Sequence, residues 1–200
     1  MMPIHLPDAP DQASHVARGQ LSLILSSPHA EGQGQLQAMS LAATAGNLSL
    51  SQPHRVYTAT AADVLAGSIL SSAKEDSWRY LVFSNGDEAV AAVEVISRDG
   101  GAMELAHINE GPFVAGTVDA IAAAADRLAN DPHDFELRLL RIPSLYLIAL
   151  WLHASDADEV IPIAPAPAGL QAGTAIGEAA LAATLRPLAE QRTQIEETMG

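Results

Sequence analysis

The chain has 200 residues, with 10 lysines and arginines against 24 aspartates and glutamates, a formal net charge of −14, 48% hydrophobic residues and no cysteine. That length fits one ordinary domain with or without an appended arm, and that apolar fraction excludes global disorder. The missing thiols exclude disulfides, thiolate zinc sites, iron–sulfur clusters and thiol nucleophiles, and the charge, with Lys74 the single lysine, leaves little to neutralise the phosphates of a nucleic acid or an anionic membrane.

The opening residues, Met1-Met2-Pro3-Ile4-His5-Leu6-Pro7-Asp8, lack the basic segment of a secretory signal. The apolar run Leu145 to Leu152 falls far short of the roughly 18 to 20 residues that span a bilayer. A soluble, cytoplasmic protein is expected, and the alanine-rich, lysine-poor composition has the look of a GC-rich bacterial gene. Residues 1–53 mix Gly, Gln, Ser and Pro in loose order and read as a weakly structured N-terminal arm. Within it Leu21 to Leu25 is read as a short strand, and Leu36, Met39 and Ala43 as a weak helix.

From residue 54 to 200 a single domain is expected. Arg55-Val56-Tyr57-Thr58 reads as a strand, and Thr60 with Asp63 three residues on has the spelling of a capping box opening a helix that runs to about Ala73. Trp78 to Ser84 and Ala89 to Ile96 read as a hairpin around Asn85-Gly86, a pair that tolerates the positive φ of a tight turn. Gly100-Gly101 then turns the chain into a third strand from Ala102 to His107. Val114, Val118, Ile121, Ala125 and Leu128 recur at helical spacing behind Pro112, which predicts an amphipathic helix from Pro112 to Ala129. Phe135 to Leu139 alternates as a fourth strand. Leu145 to Leu152 fits either a strand or a buried helix, and its length together with the turn-like Ser155-Asp156-Ala157-Asp158 after it favours strand, with Val160 to Ile163 pairing back as an edge. A last helix is expected from Glu178 to Glu197, kinked or interrupted near Pro187.

Chemical motifs are sparse. Ser71-Ser72-Ala73-Lys74 has the S-x-x-K spelling of penicillin-binding proteins, but it falls at a helix end and its K-T-G companion needs a second lysine. His153 with Asp156, Asp158 and Glu159 has no known ligand spacing, no two of the seven histidines fall at i and i+4 on an expected helix, and no metal or cofactor is expected. Neither a G-x-S-x-G elbow nor a phosphate-binding glycine loop is present, and Asn47-Leu48-Ser49 matches the glycosylation tripeptide only as a short string.

The order helix, three strands, helix, three strands, helix implies an α+β fold with a mostly antiparallel sheet and packed helices. That order and the acidity resemble the small acidic chaperones of bacterial type III secretion systems. The resemblance rests on element order and implies protein binding without chemistry. Two functional classes follow: a non-catalytic acidic protein that binds another protein, of chaperone, adaptor or immunity type, and alternatively an enzyme whose site is assembled only in three dimensions. Within the strand at Leu145, one face carries Tyr146, Ile148, Leu150 and Leu152 and the other Leu145, Leu147, Ala149, Trp151 and His153. The aliphatic Tyr146 face is expected under the helices that start at Pro112 and Glu178. The face with Leu147, Ala149, Trp151 and His153 is expected to meet a homodimer mate or another protein, because tryptophan is enriched at interface hot spots. The alternative cover for that face is the N-terminal arm.

Overall fold

The computed structural model describes residues 4–25, 48–86, 88–98 and 100–199. The elements run β1 (Ile4–His5), α1 (Asp11–Leu25), β2 (Leu48–Thr58), α2 (Ala61–Ala66), α3 (Ile69–Ser72), β3 (Lys74–Ser84), β4 (Glu88–Ser97), β5 (Met103–Asn109), α4 (Pro112–Arg127), β6 (Phe135–Ile142), a 3-10 turn (Pro143–Leu145), β7 (Leu147–His153), β8 (Asp158–Pro162) and α5 (Glu178–Met199). This is an α+β protein, mostly antiparallel, in the expected order from β2 onward. Among the described residues, no helix is long and apolar enough to cross a membrane.

Two compact units divide the chain: Met1–Leu6, Arg55–Asp76 and Gly116–Gly200 form the first, and Pro7–His54 with Ser77–Ala115 the second. In the first, strands follow the order β2-β6-β7-β8, with β1 also on β6. β6 pairs antiparallel with β7, and β7 with β8. Its joins to β1 and β2 are parallel, with Ile4 opposite Phe135 and Arg55 opposite Arg138, because the long connection after β2 supplies the crossover that parallel pairing requires.

Helix α2 starts where the sequence places it. The Thr60 side chain accepts from the Asp63 N–H while Asp63 accepts from the Thr60 N–H at 2.8 Å, so two otherwise orphaned donors are satisfied. The helix stops at Ala66 rather than near Ala73, because Gly67 adopts φ 74° and closes it in the left-handed cap that glycine takes without penalty. A second short helix, α3, follows. Both are tied to α5: Glu178 Oε1 accepts the Leu70 N–H at 2.7 Å, and Arg186 donates to the Leu65 carbonyl at 3.0 Å. Leu181, Leu185 and Ala189 of α5, spaced as one helical face, then close a core with Val64, Ile69, Leu140, Ile142, Leu147, Ala149 and Trp151. α5 runs unbroken through the exposed Pro187.

On the opposite sheet face Leu137, Leu139, Leu150, Leu152 and Ile161 are buried, and α4 lies close enough that a Cβ on Gly116 would come 2.8 Å from Ile163 Cγ2. The expected assignment of faces is therefore corrected. Leu147, Ala149 and Trp151 are buried in one core cluster with Leu181, Leu185 and Ala189 of α5, a cluster that holds no described residue of the stretch 1–53. Tyr146 belongs to no strand face: it sits at φ 54° after the 3-10 turn and is 74% exposed. Pro143 starts that turn and takes Leu145 out of the strand, so β7 begins only at Leu147.

In the second unit the order is β5-β4-β3-β2. Asn85 (φ 53°) and Gly86 (φ 88°) turn β3 into β4, with Ser84 opposite Glu88, as the Asn-Gly pair predicts. Leu21 to Leu25, read above as a strand, is instead the end of α1. Ala13, Ala17 and Leu21 recur every fourth residue and pack with Trp78, Tyr80, Val82 and Val93; a helix-wide stripe outweighs five apolar residues read alone. The stretch read as an arm over 1–53 thus holds α1 and the start of β2. The helix expected at Leu36, Met39 and Ala43 and the tripeptide at Asn47 lie outside the described residues.

Candidate functional site

Leu147, Ala149 and Trp151, expected at a protein contact, are each no more than 4% exposed, and only His153 among the four reaches the surface. Period-two alternation brings them onto one face with Arg55 and Tyr57 of β2, Glu136 and Arg138 of β6, and Asp158 of β8. The Tyr57 and Trp151 rings meet edge to face at 5.0 Å between centroids, and the Arg138 guanidinium lies 5.0 Å from one ring centroid and 4.7 Å from the other. Arg138 also donates to Glu136 at 2.8 Å. Burial pushes the Glu136 carboxyl up, yet the Arg138 hydrogen bond and the charges of Arg138 and Arg55 outweigh it and hold the group below the usual range. The Trp151 indole N–H donates to Asp158 at 2.6 Å, and His153 Nδ1 lies 2.8 Å from the same oxygen. The aromatic pair is thus filled by the protein's own cation.

Of the cluster drawn around His153, Asp158 pairs with it and the other two carboxylates turn elsewhere. Asp156 lies instead 3.7 Å from His133 Nε2, and Glu159 pairs with Arg127. Among the described residues no group of three or more His, Asp or Glu side chains is placed to hold a metal ion. Ser71 lies next to the end of α3, which stops at Ser72, while Lys74 starts β3, so the S-x-x-K spelling lacks the helical turn that would set its serine and lysine side by side.

Two grooves open on the first unit. One, of about 560 Å³, is lined by Thr58, Thr60, Asp63, Ser72, Lys74, Glu75 and Asp76. Its polar groups are largely engaged: Asp63 in the helix cap, and Asp76 with Arg141 at 2.7 Å and Thr58 at 3.3 Å. The other, of about 240 Å³, lies between the 3-10 turn and the second half of α5 and is lined by Ser144, Leu145, Tyr146, Leu188, Gln191, Arg192 and Ile195. Arg192 donates to the Ser144 carbonyl at 2.8 Å and places its guanidinium 5.6 Å from the Tyr146 ring centroid, propping the ring beside the groove. Three large hydrophobic residues stand exposed among those described, Leu6, Tyr146 and Ile195, and two of them border this groove.

Such a groove brings together what protein contacts use: an aromatic, an arginine and exposed aliphatic carbon. No protein-family model, characterised protein or solved structure matches this chain. Sequence reading missed the groove because its two sides lie far apart in the chain. A trace was present: Leu181, Leu185, Leu188 and Ile195 recur at four, three and seven, with Arg192 on the same face, an apolar stripe that runs past the buried part of α5.

The second unit gathers ionisable groups of another kind. The buried Glu94 accepts from Ser77 at 3.2 Å and Asn109 at 3.3 Å, and stands 3.2 Å from His107 Nε2. Arg79, also buried, is its cross-strand partner. His54 is fully buried; desolvation, helped by the charge of Arg79 and opposed by the Gln52 carbonyl, holds its imidazole down to about 3, so it is neutral. Both Glu94 oxygens are engaged, as in a network that fastens strands together.

Proposed function

We propose that this is a non-catalytic acidic protein that binds another protein, of chaperone, adaptor or immunity type, and that the contact is made at the Tyr146 groove. The observation that supports this reading is Tyr146 itself. A bulky residue at φ 54° is strained by about 1 kcal/mol, and strained, exposed positions concentrate at functional sites. Here the strain presents a 74%-exposed phenol ring beside an apolar groove, an arrangement that does nothing for the core. Tyrosine and arginine are residue types that dominate measured interface energies. His54, whose ionisation is pushed far from its ordinary value, is fully buried in the other unit.

The test is a photo-reactive amino acid at position 195 in the otherwise intact chain, activated in the native cell. The expected result is a cross-link to one protein, lost when Tyr146→Gly is added. A cross-link to a second copy of the chain would assign the groove to self-association, and a diffuse pattern indifferent to Tyr146→Gly would remove the groove from consideration.

A further inference from the structure

We infer that the Tyr146 groove takes one bulky apolar side chain presented by a basic segment of the partner, an inference that rests on the protein-binding reading above. Size comes first. About 240 Å³ is room for a single leucine, phenylalanine or tryptophan side chain, with Leu145, Leu188 and Ile195 as the apolar wall and the Tyr146 ring at the rim. A single side chain seated in a pocket is the usual form of an interface anchor.

Charge decides what surrounds that anchor. The lining cation, Arg192, is committed through Nε to the Ser144 carbonyl and through its guanidinium to the Tyr146 ring, and it is the single charged side chain in the lining. From Glu190 to Glu197 the sequence holds three glutamates against that one arginine, and the whole chain carries −14. Potentials across an interface are complementary, and a field of this sign speeds the approach of cations and repels anions. A lysine- or arginine-flanked anchor therefore fits the groove, and an aspartate-flanked one does not.

The experiment uses the full chain, isotopically labelled, and three capped synthetic peptides: a central phenylalanine flanked by arginines, the same peptide with alanine at the centre, and the same phenylalanine flanked by aspartates. The expected result is that only the arginine–phenylalanine peptide shifts the NMR signals of Tyr146 and Ile195, that its affinity falls about tenfold when salt is raised from low to several-fold physiological, and that Tyr146→Gly abolishes the shift at Ile195. Glycine takes φ 54° without strain, so that variant is expected to keep its fold, and an otherwise unchanged NMR spectrum separates loss of binding from unfolding. Should the aspartate-flanked peptide bind at these residues instead, the charge inference is overturned while the groove remains a protein site. Should the alanine peptide bind equally well at these residues, the anchor is overturned while the groove remains a protein site; should no peptide move the two signals, both the anchor and the groove reading are overturned.

Discussion

The two units solve the same problem, covering a sheet, with opposite chemistry. In the first, the face beneath α5 is closed by hydrocarbon: Leu140, Ile142, Leu147, Ala149 and Val160 meet Leu181, Leu185 and Ala189, and the polar pair Arg138 and Glu136 lies further along the same face, opposite Trp151 and His153. In the second, one sheet face is apolar under α1, while His54, Ser77, Arg79, Ser84 and Glu94 are all buried, five of the six buried polar residues among those described. Hydrocarbon packing is non-directional and tolerates pH. A buried polar network is directional, must be satisfied throughout, and depends on the protonation state of each member.

Substitutions and pH should therefore separate the units. The largest expected effect is in the first: Trp151→Ala removes a buried indole packed with Tyr57, Arg138 and the core that α5 closes and leaves Asp158 with His153 alone, at a cost of about 3–5 kcal/mol, read from urea unfolding at neutral pH. A variant of near wild-type stability would show that the α5 layer is not what holds Trp151.

Acid comes next, and it should act through the second unit. His54 takes up a proton at about 3 in the fold against 6.5 ordinarily, so the unfolded chain binds the proton first. The stability that comes from keeping His54 neutral is whole above pH 6.5 and is lost as pH falls toward 3. Between pH 6.5 and pH 4 the loss should be about 3 kcal/mol, and His54→Asn should flatten that part of the urea midpoint against pH profile. Equal slopes in wild type and variant would mean that the acid response arises elsewhere.

Smaller effects probe local geometry in the first unit. Thr60→Ala deletes one half of the capping box and should cost about 1 kcal/mol, visible as a modest drop in Tm with the near-UV spectrum unchanged. Smallest of all, Tyr146→Gly should leave stability the same or raise it by less than about 1 kcal/mol, since it relieves a positive φ and gives up a ring that is mostly in water. A marked loss would mean that the phenol ring serves the fold, and would weaken the case for a contact there.

What the sequence alone determined about this protein lies within a few residues of itself. Thr60 and Asp63 cap a helix because a hydroxyl and a carboxylate three residues apart reach each other's backbone N–H; Asn85-Gly86 turns a hairpin because those residues accept positive φ; Val114 to Leu128 forms a helix and Phe135 to Leu139 a strand because their apolar periods differ. The partition of β7 into two faces was legible for the same reason, since alternation is a property of the strand. What covers each face was not. Period two says which residues share a side and nothing about the layer above them, so the cover of Trp151 by α5, more than 25 residues further along the chain, was decided by tertiary packing. Leu21 to Leu25 became helix because Ala13 and Ala17 found Trp78 and Tyr80 beneath them, a contact that five apolar residues cannot announce. The parallel join of β2 to β6 closes a connection that includes β3, β4, β5 and α4, which no local pattern announces. The Tyr146 groove is likewise tertiary: Arg192 meets Tyr146 across 46 positions of sequence, and only the docking of α5 beside the 3-10 turn makes a concave surface of residues that look ordinary one at a time.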